Sequence, residues 1–261
     1  MEIQEELRVA LLQMDLAWED RPANLHHADR LIAELPQTID LIVLPEMFST
    51  GFSARAEALA DTMDGETLRQ IRHWAESRQA AVTGSFIVRE NDRYHNRGFA
   101  ILPDGRAYFY DKHHLFFGGE KSMFTPGGTR PVFEFRGWRI SLAICYDLRF
   151  PVFMRGRRCD YDLMILPVEW PKSRQEMLDI LVRARAIENQ AYYCLVNRVG
   201  TDGMDLVYQG GSQMVKYNGK VIERLTDYQE EVRIVTLEHY PLESYREKAP
   251  IWQDGDDFQL L

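Results

Sequence analysis

The chain has little cysteine, no long apolar run and no concentration of positive charge. Its three cysteines are Cys145, Cys159 and Cys194 in 261 residues. So odd and sparse a set makes no disulfide framework, and the expected setting is a reducing cytoplasm. No apolar run approaches the ~20 residues that span a bilayer. The start, Met1-Glu2-Ile3-Gln4-Glu5-Glu6, is acidic and polar, without the basic region and apolar core of a secretory signal. Forty acidic residues oppose 31 basic ones, for a net charge of -9. No polybasic stretch marks a nucleic acid or a membrane as partner. Low-complexity linkers, internal repeats and composition breaks are missing too. One domain over residues 1–261 is expected, with an extension at about 245–261. That extension carries Tyr245, Pro250, Ile251, Trp252 and Phe258 among charges. It is too apolar to hang free and should pack on the body or on a partner subunit.

What is present is ample apolar mass, 45% of the residues, enough for one large core. Short apolar runs predict strands over 8–13, 40–44, 80–88, 162–167, 191–196 and 231–237. The run at 40–44 is continuous, which suits a strand covered on both faces. Helical spacing marks 22–34, 66–77 and 174–189. Hairpins are predicted across Pro103-Asp104-Gly105, Arg136-Gly137 and Asn218-Gly219. Strands alternate with helices, yet hairpins are interspersed. The expected fold class is therefore α/β with mixed sheets and helices outside.

The strand 138–144 places Trp138, Ile140, Leu142 and Ile144 on one face and ends at Cys145. A helix start follows in Tyr146-Asp147-Leu148-Arg149-Phe150-Pro151, with Asp147 as a cap and Pro151 tolerated in the first turn. A thiol at such a turn projects into the crevice at the sheet's carboxyl edge. It attacks as thiolate and needs a base or a cation nearby. Seven histidines are present, at 26, 27, 73, 95, 113, 114 and 239. None stands at a clear strand end with an acidic or amide orienter, so a cysteine–histidine pair has no specific support. Nor do the two histidine pairs carry partners at metal-ligand spacing.

Carboxylates and an amine are better placed. The apolar run 41–44 leads into Pro45-Glu46, and a glutamate emerging there is partly desolvated, which raises its pKa toward a useful general base. The strand 106–110 leads into Asp111-Lys112. An ammonium there lowers a thiol pKa and stabilises an oxyanion. Glu120, in Phe117-Gly118-Gly119-Glu120, can reach back to hold it. Taken alone, each has a bland reading: Cys145 as packing, Glu46 as a loop residue, Lys112 as a solvated lysine, Asp147 and Arg149 as an ion pair shaping the turn.

Jointly, the pattern resembles the nitrilase superfamily of carbon-nitrogen hydrolases. Leu44-Pro45-Glu46-Met47-Phe48, Tyr110-Asp111-Lys112-His113-His114-Leu115-Phe116 and Cys145-Tyr146-Asp147-Leu148-Arg149-Phe150-Pro151 are similar to its glutamate, lysine and cysteine motifs. Arg183-Ala184-Arg185-Ala186-Ile187-Glu188-Asn189-Gln190 and Asn197-Arg198-Val199-Gly200 resemble later segments. The resemblance implies a four-layer α-β-β-α sandwich, assembly as a homodimer or larger homo-oligomer, and no metal or organic cofactor. It implies Cys145 as nucleophile, Glu46 as general base and acid, Lys112 with the backbone N–H of Tyr146 as oxyanion hole, and Glu120 as support for the lysine.

Val168-Glu169-Trp170-Pro171 and the ending Tyr245-Arg246-Glu247-Lys248-Ala249-Pro250-Ile251-Trp252 look like the bacterial omega-amidase branch, whose members hydrolyse 2-oxoglutaramate to 2-oxoglutarate and ammonia. Another amidase or nitrilase of the same fold, or an idle binding scaffold, are the alternatives. Glu169 departs from the small or amide side chain expected there, and is expected to point away from the pocket. Phe116, Tyr146 and Trp170 are candidate pocket walls. Arg149, Lys172, Arg174 and Arg198 are candidate partners for an acidic substrate, and the sequence does not choose among them.

Overall fold

The computed structural model describes residues 3–256. Strand β1 (Glu6–Gln13), helix α1 (Arg21–Ala33) and strand β2 (Leu41–Val43) come first, followed by α2 (Ala56–Leu59) and α3 (Glu66–Arg78). The run β3 (Ala81–Glu90), β4 (Arg93–Ile101) and β5 (Ala107–Asp111) leads to α4 (Glu120–Met123). Next are β6 (Val132–Phe135), β7 (Trp138–Leu142), α5 (Pro151–Met154), β8 (Leu163–Pro167), α6 (Gln175–Asn189) and β9 (Tyr192–Val196). Four short strands follow: β10 (Val199–Thr201), β11 (Val207–Gln209), β12 (Gln213–Val215) and β13 (Val221–Arg224). The chain then forms β14 (Glu231–Glu238) and α7 (His239–Lys248).

Two six-stranded sheets result, in the orders β14-β1-β2-β3-β4-β5 and β13-β12-β9-β8-β7-β6. Each has a parallel centre, β1-β2-β3 in one and β7-β8-β9 in the other, with antiparallel pairings toward the edges. Side-chain alternation sorts the faces. Leu7, Val9 and Leu11 of β1 pack with Trp138, Ile140 and Leu142 of β7 in one core between the sheets. Ala10 and Leu12 turn the other way, onto Leu25, Ala28 and Ile32 of α1 and Ile71 and Trp74 of α3. Beyond the second sheet, Leu178, Val182 and Ala186 of α6 close the outer face. The layers are thus α-β-β-α, the mixed-sheet sandwich that the motifs imply. Full burial of each large aliphatic side chain is worth about 1.5–3 kcal/mol, so the doubly covered strands are the most firmly held elements.

This arrangement sets the site. β2 runs parallel to β3, and β5 runs in the same direction because two antiparallel pairings separate it from β3. The carboxyl ends of β2 and β5 therefore share one edge of the first sheet. The carboxyl ends of β7 and β8 meet them from the second.

Several elements differ from the sequence reading. The hairpin of β10 and β11 and the one-turn helices α2 and α4 carry too few alternating or helically spaced apolar residues to be read. Residues 245–248, taken as the start of an extension, complete α7 instead. Pro241 stands in its first turn, where a missing N–H costs nothing, and only Leu242 and Arg246 are deeply buried apart from His239. Tyr245 packs on Tyr217 with ring centroids 4.8 Å apart. Phe258 of the expected extension, and Met1 and Glu2, lie outside the described residues.

Candidate active site

Glu46 follows β2 in the turn Leu44-Pro45-Glu46-Met47. Met47 adopts a left-handed φ of 41°, and its N–H donates to Ser85 Oγ at 2.9 Å. Cys145 follows β7 and is itself left-handed, at φ 45°. Such a conformation is costly for a residue with a side chain and persists only when its surroundings impose it. The constraint is visible: Asp147 Oδ2 accepts from Ile144 N at 3.0 Å and from the Tyr110 hydroxyl at 2.7 Å. Asp147 Oδ1 accepts from His114 N at 3.0 Å and lies 2.8 Å from its Nδ1. The elbow is thus tied to the segment that follows β5.

That segment begins with Lys112. Its Nζ donates to Glu46 Oε1 at 2.8 Å and to Glu120 Oε2 at 2.7 Å. All three side chains are essentially inaccessible to solvent. Asn96, in the middle of β4, donates from Nδ2 to Glu46 Oε1 at 2.8 Å and Glu120 Oε1 at 3.1 Å. The Asn96 backbone carbonyl accepts the Lys112 backbone N–H at 2.9 Å. Glu46 Oε2 accepts from Glu169 N at 2.9 Å, and Glu120 Oε2 from Phe116 N at 2.7 Å. Every oxygen of the two buried carboxylates thus has a partner, as buried charge requires.

The Cys145 thiol lies within hydrogen-bonding reach of Glu46. Burial, then the Glu46 charge, pushes its pKa well above the ordinary thiol range, against the pull of Lys112. Burial alone works against the Lys112 ammonium, but Glu120 and Glu46 together raise its pKa well above the usual value. The resting site therefore holds a protonated thiol and a charged lysine beside the Glu46 carboxyl group. Such a set supports attack on a carbonyl coupled to proton transfer, without histidine or metal.

Cys145 and Lys112 open into a cavity also lined by Phe52, Phe116, Tyr146, Glu169 and Trp170. Met204, Leu206 and Tyr208, on and around the β10–β11 hairpin, close another side. Asn197 fixes Trp170 through both backbone groups, accepting its N–H at 3.1 Å and donating to its carbonyl at 3.0 Å.

Residues 8–247 match the family model described as Carbon-nitrogen hydrolase. The chain belongs to the carbon-nitrogen hydrolase family. It is 42% identical over 258 residues to Omega-amidase YafV of Yersinia enterocolitica, spanning 98% of this chain and 99% of that one. It is 30% identical over 257 residues to the 2-oxoglutaramate amidase of Bacillus subtilis strain 168, covering 94% and 96% of the two chains. Among solved structures it resembles XC1258 of Xanthomonas campestris, a CN-hydrolase superfamily protein with an arsenic adduct in its active site. The TM-score is 0.96 at 39% identity, over 99% of this chain and 100% of that one.

Three readings of this hydrolase's site need correction or completion. Glu169 does not point clear of the pocket: it lines it, and its side chain is fully buried. Neither carboxylate oxygen has a hydrogen-bond partner, and Arg198 Nη1 lies 3.9 Å away. Burial pushes its pKa up to about 8, against the lowering pull of Arg198. Arg149 makes no ion pair with Asp147, because Asp147 is fully engaged at the elbow and Arg149 lies over the Trp170 ring at 4.8 Å. His114 does have an acidic partner, in Asp147, but its ring stacks on Phe150 with centroids 3.7 Å apart. The residue that sequence reasoning missed is Asn96. Its signal was the polar run His95-Asn96-Arg97 inside a strand that is nonetheless buried from His95 to Ile101.

Proposed function

We propose that the chain is an omega-amidase that hydrolyses the side-chain amide of 2-oxoglutaramate and similar omega-amides to the 2-oxo dicarboxylate and ammonia. The observation that carries this reading is the buried Glu46–Lys112–Glu120 network facing the Cys145 thiol, in a chain 42% identical to an omega-amidase over nearly its whole length. Glu46 takes the thiol proton as Sγ attacks the amide carbonyl. Lys112 Nζ and the Tyr146 backbone N–H hold the oxyanion. Glu46 returns the proton to the leaving nitrogen, the C–N bond breaks, and ammonia departs from a Cys145 thioester. Water, activated by the same carboxylate, then attacks the thioester, the C–S bond breaks, and the thiol is restored. Glu120 keeps Lys112 charged and aimed.

The high thiol pKa favours this concerted transfer over a preformed thiolate. The test is ammonia release from 2-oxoglutaramate and, separately, from aliphatic nitriles. We expect turnover of the amide and its loss, with an unchanged melting temperature, in Cys145→Ala. Release from nitriles alone would overturn the reading, and residual hydrolysis by Cys145→Ala would remove the nucleophile from its role. A cytoplasmic setting and paired subunits belong to the same reading; light scattering on the purified protein measures the latter. No helix among the described residues is long and apolar enough to cross a membrane.

A further inference from the structure

Four cations were open as partners for an acidic substrate, and their environments separate them. Arg198 is fully buried and does not line the cavity: Nη2 donates to Leu16 O at 2.8 Å, Nε to Val199 O at 3.0 Å, Glu169 and Asp15 lie within 4 Å, and Nη1 has no hydrogen-bond partner. Lys172 is exposed, with Nζ over the Tyr228 ring at 5.4 Å, and does not line the cavity. Arg149 and Arg174 both line the cavity that holds Cys145 and Lys112, and both are half-buried.

The guanidinium of Arg149 lies over Trp170 at 4.8 Å and near Tyr146 at 5.9 Å. That of Arg174 lies over Phe116 at 4.7 Å. Stacking uses the faces of these planar groups and leaves their N–H edges available for bidentate contact with a carboxylate. Among the described residues, neither has a carboxylate within ion-pair distance, although acidic residues outnumber basic ones 40 to 31 in this chain. The hydrogen bond found for Arg149 runs to the Met177 thioether at 3.6 Å, a weak acceptor. Two unpaired, pre-oriented guanidiniums on the wall of a cavity are costly to leave idle, since partial desolvation has been imposed without a counter-charge.

We propose that Arg149 and Arg174 form a carboxylate subsite that holds the acid end of the substrate while its amide carbonyl lies at Cys145. This rests on the omega-amidase reading and adds to it the residues that select for an acid. Phe116, Tyr146 and Trp170 then act as supports that fix the two forks, so the aromatic wall sets charge recognition as well as shape. The separation between thiol and guanidiniums selects the chain length between amide and carboxylate.

The experiment compares kcat/KM for 2-oxoglutaramate with that for valeramide, a neutral amide of equal carbon count, in the wild type and in Arg149→Gln, Arg174→Gln and Arg174→Lys. A hydrogen-bonded charge pair corresponds to roughly 10- to 150-fold in affinity. We expect each glutamine variant to raise KM for 2-oxoglutaramate by about tenfold to a hundredfold with a much smaller change in kcat, so that the acid-to-neutral preference collapses. Arg174→Lys, which keeps the charge and loses the fork, should fall between. The inhibition constant of 2-oxoglutarate should rise in parallel, which separates binding from chemistry. A preference that survives in both glutamine variants, when the wild type favours the acid, would overturn the subsite alone. A wild type that favours valeramide would overturn the omega-amidase reading and the subsite with it.

Discussion

At the residue scale, the chemistry depends on how charge is distributed in a space without water. Lys112 is flanked by the Glu46 and Glu120 carboxyl groups, burial pushes the pKa of Glu120 up against the pull of Lys112, and the Asn96 amide donates to both acids. Glu169 is the exception, because its carboxylate is buried without a hydrogen-bond partner. Its raised pKa, about 8 against an ordinary 4.5, makes it a neutral acid at pH 7. The sign of the stability effect follows from linkage: a carboxyl whose folded pKa is raised stabilises the fold fully below about 4.5, and that contribution is lost as pH rises through about 8. Glu169→Gln should therefore gain stability over the wild type progressively from pH 5 to pH 9, by a few kcal/mol at the upper end, read as the difference in denaturant-unfolding free energy. A difference that is flat with pH would mean that Glu169 does not titrate in this window. The same ionisation places a negative charge on the cavity wall, so KM for an acidic amide should rise above pH 8 in the wild type and stay level in Glu169→Gln.

At the element scale, the site depends on strand ends held in register, and a glycine inside β3 shows how tightly. A Cβ at Gly84 would sit 2.9 Å from Leu44 Cβ and 3.1 Å from Phe99 Cζ. Leu44 is the second residue before Glu46, and its Cβ moves only with the backbone. Gly84→Ala should cost about 1–3 kcal/mol by overpacking and lower kcat, since displacement of the turn shifts Glu46 from Lys112 and Cys145. Thermal melting and ammonia release measure the two effects, and retained wild-type kcat would show that the turn absorbs the strain. Most of this level was legible in the sequence, because strands covered on both faces write near-continuous apolar runs. The runs at 40–44 and 162–167 were readable for that reason, and 138–144 by the alternation of Trp138, Ile140, Leu142 and Ile144 with Arg139, Ser141 and Ala143. What was not legible was contact between strands. Asn96 looked like one polar residue in a run of three, and the β10–β11 hairpin, which brings Met204 and Leu206 to the cavity, has no apolar alternation to announce it. Glu169 was misplaced because its surroundings come from residues distant in sequence, among them Arg198 at 3.9 Å, which follows a different strand.

At the scale of the whole molecule, the sheets are locked by buried charge as well as by the core between them, and α7 shows how. Arg246 Nη1 lies 2.6 Å from Asp162 Oδ1, its Nη2 donates to Tyr161 O at 2.7 Å, and its Nε donates to Gln190 O at 2.9 Å. One side chain thereby fastens the last helix to the amino ends of β8 and β9, opposite the catalytic edge. Asp162 also meets Arg139 and lies 3.7 Å from His239. These partners hold its carboxyl far below the usual range despite burial. A depressed folded pKa stabilises the protein above the ordinary value of 3.8 and is lost as pH falls through the folded pKa. Removal of one member of such a buried pair typically costs about 3–5 kcal/mol, because the other charge is left unpaired. Arg246→Ala should therefore lower stability at pH 7 by about that amount. It should also shrink the loss of stability between pH 5 and pH 2, since Asp162 then has less to lose on protonation. Because Arg246 acts on the far side of the sheets from Cys145, kcat at low temperature, where the variant stays folded, should remain within about twofold of the wild type. A large fall in kcat without a fall in stability would mean instead that α7 reaches the active site through the parallel strands it anchors.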